Sequence, residues 1–232
     1  MNKIPIQYNT NFSKNNLFEI TQSDYTYLNN IFLENNELKI HSINIIKQFP
    51  YNDIMQFCLS RGIHCLPTLE LIDFLNDKIG MQRLGKIAIE IGAGHGAIAK
   101  ALNIIGTDSF QQNDLNVKAF YAKSKQPTVK YGSRIHKLDA ITAIDTFRPS
   151  TVIGAFITHK YNKEHCLTEG NMHGVEEEKI IEQGIKYIFI GNKSTHKTKY
   201  ICKKYPNFKT YQFDWLFAKV KNQTDNVIWI WN

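Results

Sequence analysis

The stretch over residues 86–102 constrains the fold more than any other part of the chain. Residues 86–91 are short and mostly apolar, the pattern of a strand buried on both faces of a sheet. Residues 96–102 read as a helix, and between the two runs Glu90-Ile91-Gly92-Ala93-Gly94-His95-Gly96. A helix start presents free N–H groups and the positive end of a dipole, and glycines let a ligand come close to the backbone. Strand, glycine loop and helix in that order predict a nucleotide-type site at the carboxyl end of a parallel strand.

The rest of the chain extends this unit. Further strands are expected at 104–108, 135–138, 151–157 and 187–190, and helices at 117–123, 140–147, 175–183 and 195–204. Such alternation predicts a parallel sheet with helices on both faces. Upstream, Thr68 suits the N-cap of a helix to about Lys78, with Leu71, Ile72, Leu75 and Ile79 as its apolar face and Gly80 as its stop. The tail changes character: 216–221 and 227–231 are β-rich runs joined by Asn222-Gln223-Thr224-Asp225-Asn226, a hairpin signal. Residues 17–59 read as helical with a break at Pro50, and 1–16 are polar, Asn-rich and expected to be loosely ordered. The organisation expected is a polar terminus and helical annex over 1–60, then an α/β domain over 61–232.

Composition narrows the setting. A chain of 232 residues, 43% hydrophobic, buries a core without a disulfide or metal staple. The four cysteines form no CxxC pair and read as reduced, mostly buried thiols. No run of about 18 apolar residues occurs, so no membrane contact is expected and the location expected is cytoplasmic. The net charge of +7 permits non-specific contact with a polyanion, but the lysines are dispersed and no DNA-reading motif is present. His95, His159, His165, His173, His196 and Cys166 show no zinc spacing, so no metal is expected.

Two cofactor classes compete for the loop. Gly92-x-Gly94-x-x-Ala97 fits the dinucleotide pattern GxGxxG/A. Gly92-x-Gly94-x-Gly96 with Glu90 two residues ahead resembles motif I of the class I methyltransferases, written E/D-x-G-x-G-x-G. That resemblance covers roughly residues 62–232. It implies a Rossmann-like sheet of about seven strands, mostly parallel and ending in a β-hairpin. It also implies S-adenosylmethionine as cofactor, with Glu90, Gly92, Gly94 and Gly96 at its amino-acid moiety. Asp108 would hold the ribose hydroxyls and Asp139 would meet the adenine amino group. Residues 151–162 and 226–231 are similar to a poorly characterised bacterial set of methyltransferase-like proteins, which brings no substrate with it. Each acid also has a plainer role open to it: Glu90 in a salt bridge, Asp108 in a turn, Asp139 as the N-cap of the next helix.

In that fold the loop after the fourth strand lies over the transferring methyl group. Here it reads Phe156-Ile157-Thr158-His159-Lys160-Tyr161-Asn162 and lacks the N/D-P-P-Y/F of amino-group methyltransferases. His159 and Tyr161 are the candidates to face the acceptor, His159 as a base, and both could instead only hydrogen-bond the loop. The resemblance leaves the methyl acceptor unknown. The competing readings are a non-catalytic module of the same fold contacting nucleic acid or a protein partner, and a nicotinamide-dependent oxidoreductase.

Overall fold

The computed structural model describes residues 25–80, 87–160, 170, 173–220 and 222–232. The expected loose order of 1–16 lies outside them. The chain opens with α1 (Tyr27–Phe32), a small hairpin of β1 (Leu33–Glu34) and β2 (Glu37–Leu38), then α2 (Ile43–Ile46) and α3 (Tyr51–Ser60). Pro50 stands at the N-cap of α3, where its missing N–H costs nothing. Leu28, Phe32, Ile46, Ile54 and Phe57 make a core of their own, and it continues into Leu66, Ala97 and Phe217. The annex is therefore sealed against the helix that follows the glycine loop.

Beyond it come β3 (Cys65–Leu66), α4 (Leu69–Ile79), β4 (Ala88–Ile91), α5 (Ala97–Leu102), β5 (Ile105–Asp108), α6 (Leu115–Lys123), β6 (Ile135–Lys137), α7 (Ala140–Phe147) and β7 (Thr151–Ala155). The chain ends with α8 (Glu178–Glu182), β8 (Lys186–Asn192), α9 (Lys193–His196), α10 (Tyr200–Lys204), β9 (Lys209–Tyr211), β10 (Phe217–Ala218) and β11 (Asn226–Trp231). The caps are those that the side chains dictate. The Thr68 hydroxyl accepts the Leu71 amide at 3.1 Å, and Gly80 closes α4 in the left-handed region.

One seven-stranded sheet organises the molecule, in the order β6-β5-β4-β7-β8-β11-β9. Strands β4 to β8 are mutually parallel, and β11 runs antiparallel between β8 and β9. This is a Rossmann-like α/β fold. Side chains alternate strictly across it. Ile188, Ile190, Ile228 and Ile230 face α4 and α5, while Tyr187, Phe189, Val227, Trp229 and Trp231 face the side of α7, α8 and α10. The order reverses at β4, which has β5 on one side and β7 on the other. That is a switch point, so a crevice opens at the carboxyl ends of β4 and β7.

Three expectations need correction. The tail hairpin does not form as its sequence suggests: β10 pairs antiparallel with β3, and the strand beside β11 towards the edge is β9. Leu216, Phe217 and Ala218 are apolar because they are buried between annex and sheet. The polar Lys209-Thr210-Tyr211 carries little strand signal because it is an edge. The helix expected over 195–204 is two short helices, broken where Lys199 turns extended at φ −56°, ψ 134°. The strand expected to reach residue 157 ends at Ala155, because Phe156 takes φ 54°.

Candidate functional site

The glycine loop joins β4 to α5 at the crevice. Glu90 is buried, and its Oε2 accepts the amide of Ala99 at 2.8 Å. Ala99 is in the first turn of α5, whose N-cap, Gly96, has no side chain to offer. The strand acid therefore does the capping. Burial pushes its carboxyl up to about 8, helped by the charge of Asp108 and opposed by the Ala99 bond. Gly92 takes φ 58°, and a Cβ there would stand 2.6 Å from Cγ2 of Ile157. Only glycine permits both the conformation and the contact. The loop after β7 thus rests directly on the loop after β4.

Asp108 ends β5, the neighbouring strand. Its Oδ2 accepts the amide of Gly94 at 3.0 Å and its Oδ1 the amide of Phe110 at 2.9 Å. The acid predicted for a ribose orders the glycine loop itself. Burial raises its carboxyl above the ordinary range, and the two amides oppose that. Asp139 follows β6 and is the N-cap of α7. Its Oδ1 accepts the amides of Ile141 and Thr142, each at 3.1 Å, and its Oδ2 accepts the Thr142 hydroxyl at 2.6 Å. It is exposed at the same sheet edge as Asp108.

The post-β7 loop is held from below by a buried network that the sequence did not reveal. Lys199 Nζ donates to the Ile157 carbonyl at 2.8 Å and pairs with Glu177 Oε2 at 2.7 Å. Glu177 Oε1 accepts the Tyr187 hydroxyl at 2.5 Å, and the Lys199 ammonium lies 4.2 Å from the centre of the Phe189 ring. Both members of the pair are about fully enclosed, at 2% and 1% exposure. No periodicity marks these residues: Tyr187 hides in an apolar strand, and Lys199 sits in a run that reads as helix. His159 is half-buried, flanked by backbone bonds from Lys160 to Val175 and from Val175 to Thr158, with Gly170 and Gly174 packed against it. It lies within electrostatic reach of His196. Tyr161, His165 and Cys166 lie outside the described residues.

A strap between α6 and β6 covers the other side of the glycine loop. The amide of Gly132 donates to the Gly94 carbonyl at 3.1 Å, and Val129 Cγ2 packs on Gly94. Tyr131 stacks on Phe110 at 4.1 Å and its hydroxyl accepts the Gln112 amide. A cavity of about 70 Å³ beside α5, lined by Glu37, His95, Lys100, Asn103, Gly132 and Arg134, is much smaller than a nucleotide pocket. Among the described residues, no cluster of His, Cys, Asp or Glu is arranged to hold a metal, and no helix is long and apolar enough to cross a membrane.

Fold and loop together define a Rossmann-like α/β protein with a capped glycine loop at the switch point of its sheet. No protein-family model matches the chain, and no curated protein matches it.

Proposed function

We propose that this chain is an S-adenosylmethionine-dependent methyltransferase. The observation that carries the proposal is the position of the glycine loop in a sheet of this order. Glu90 and Asp108, on adjacent parallel strands, both bond to backbone amides of the loop and its helix at the switch point. The far edge of the sheet favours this cofactor over a dinucleotide. The classic dinucleotide order has strands of one direction, whereas β11 is inserted antiparallel between β8 and β9.

On this reading Gly92, Gly94 and Gly96 let the methionine portion of the cofactor pass, and Asp108 exchanges a backbone amide for ribose hydroxyls. Asp139 stands on the adenine side. The cofactor supplies an already activated methyl group. The residues of the chain then have to align the acceptor and exclude water. Ile157, held by Lys199, forms the floor beneath the reacting centre, with His159 two residues on.

A second reading, a non-catalytic module of the same fold contacting nucleic acid or a protein, draws on the covered state of the loop by Val129 and Gly132. Titration calorimetry with S-adenosylhomocysteine and with NAD decides. Binding of the first and not the second is expected. NAD binding without S-adenosylhomocysteine binding overturns the proposal, and binding of neither favours the second reading.

A further inference from the structure

Each glycine of the loop is covered by a side chain of the protein itself, and the covers are held in different ways. A Cβ on Gly92 would meet Ile157, one on Gly96 would meet Ile135, and one on Gly94 would stand 3.1 Å from Cγ2 of Val129. Ile157 is anchored by the buried Lys199, and Ile135 belongs to β6 of the main sheet. Val129 belongs to the strap, residues 124–134, which has neither helix nor strand and no fully buried residue.

A short set of polar bonds and one ring contact hold the strap down. The Gly132 amide donates to the Gly94 carbonyl at 3.1 Å and the Val129 amide to Gln112 Oε1 at 2.7 Å. The Ser133 hydroxyl donates to Glu37 Oε1 at 2.9 Å, and Glu37 Oε2 pairs with Lys100 at 2.5 Å. One carboxylate of the annex hairpin thus fastens the strap on one side and α5 on the other. Segments with few buried apolar contacts and exposed hydrogen bonds open at a free energy well below that of global unfolding. The strap is built to lift without disturbing the sheet or its core.

The ring contact lies beside the loop acid. Tyr131 stacks on Phe110 with ring centres 4.1 Å apart and planes 8° apart, the arrangement that an aromatic side chain offers a planar base. Phe110 follows Asp108 by two residues, and its amide donates to Asp108 Oδ1 at 2.9 Å. It takes φ 59°, a left-handed conformation that is strained for phenylalanine and of the kind that collects at ligand sites. The next residue, Gln111, leaves its buried Oε1 without a partner among the described residues. A buried acceptor left unsatisfied counts against the closed arrangement. Tyr131 therefore lies on a strained ring beside an unanswered acceptor, and the segment that carries it is weakly held.

We propose that the strap is an autoinhibitory plug. Tyr131 occupies, on Phe110, the place of the planar ring of a nucleotide-type ligand, and Val129 fills the approach to Gly94. Ligand binding drives the strap off both, and Glu37 is the latch by which the annex holds the closed form. That the ligand is S-adenosylmethionine rests on the methyltransferase reading; the plug does not. A ligand that must wait for an open form binds with its intrinsic affinity reduced by the open fraction, so removing the plug tightens binding. A strap that only braced the loop gives the opposite sign, since its loss would weaken binding.

The test is hydrogen exchange of the Val129 and Gly132 amides in the full chain, with and without S-adenosylhomocysteine or NAD, together with calorimetric titration of variants. S-adenosylhomocysteine should speed exchange at both amides by about tenfold or more, as protection by the closed strap is lost. Tyr131→Ala should bind it more tightly than wild type, by about threefold or more, and Tyr131→Phe, which keeps the ring, should stay within about twofold of wild type. Ser133→Ala frees the strap from Glu37; it should speed exchange of both amides without ligand and also tighten binding, and it carries the proposal if Tyr131→Ala does not fold. Slowed or unchanged exchange in the bound protein, or binding by a folded Tyr131→Ala no tighter than wild type, overturns the plug; S-adenosylhomocysteine binding in that case leaves the methyltransferase reading standing. NAD speeding exchange and binding more tightly to Tyr131→Ala, with S-adenosylhomocysteine doing neither, keeps the plug and removes the methyltransferase reading. Binding of neither ligand to wild type or to Tyr131→Ala overturns both.

Discussion

Lys199 donates through Nζ to the carbonyl oxygen of Ile157 at 2.8 Å, and the Cγ2 of that same isoleucine occupies the space a Cβ on Gly92 would need. A buried ion pair on the far half of the sheet is thereby tied through one residue to the glycine loop. Ile157 is branched at Cβ and so stiff at χ1, and turning Cγ2 away from Gly92 means swinging its Cγ1 as well.

The pair itself is the first thing to test. Lys199→Met leaves the Glu177 carboxylate buried with Tyr187 as its one side-chain partner among the described residues, and removing one member of a buried pair costs about 3–5 kcal/mol. The double variant Lys199→Met, Glu177→Gln should recover much of this, because glutamine still accepts the Tyr187 hydroxyl. Urea unfolding of both variants measures it. Equal stabilities would mean that the charge of Glu177 is not the source of the cost.

Glycine substitutions separate conformation from contact. Gly80 takes φ 61° with open space around it, so Gly80→Ala should cost only the left-handed penalty of about 1 kcal/mol. Gly92→Ala adds the collision with Ile157, and overpacking brings roughly 1–3 kcal/mol more. Thermal unfolding of the two variants side by side checks the difference.

Glu90 makes stability depend on pH in a defined window. Its carboxyl is raised to about 8 in the folded chain. The native state therefore holds this proton where the unfolded chain has lost it, from about pH 4.3 upward. Unfolding releases a proton there, so the contribution is present at low pH and falls away as pH rises towards 8. Glu90→Gln keeps an acceptor for the Ala99 amide and cannot titrate. The stability of wild type relative to Glu90→Gln should decline between those limits. A constant difference would mean that Glu90 is ionised in the folded protein throughout. Using the difference cancels the opposite trend of His64, His95 and His196, whose pKa values are lowered.

Asp108 should matter for the cofactor. Asp108→Ala removes a charged acceptor, worth about 1.5–3 kcal/mol, or roughly ten- to hundredfold in S-adenosylhomocysteine affinity. Asp139→Ala should cost about 1 kcal/mol of stability as a lost helix cap. Calorimetric titration and thermal unfolding of both variants test this. Unchanged affinity in Asp108→Ala would confine that residue to ordering the loop.

Local pattern was enough for much of this molecule. The apolar run before Gly92 made a doubly buried strand, Thr68 and Gly80 bounded their helix, and the alternation of runs made a parallel sheet. These outcomes follow from forces acting within a few residues: capping, side-chain period and backbone freedom. Glu90 and Asp108 stood out in the sequence through their positions relative to the glycines and through the resemblance, but that both accept backbone amides of the loop and its helix came only from the structure.

Partnership between distant segments was not legible. Phe217-Ala218 pairs with Cys65-Leu66 rather than with the last strand, because burial against the annex outweighs closeness in sequence. Lys199, Glu177 and Tyr187 meet only where α8, β8 and the turn before α10 pack together, and each looks ordinary in its own stretch. A single sequence records which residues are apolar and how they are spaced; which polar groups are enclosed together is decided only when the sheet closes against the annex and desolvates them.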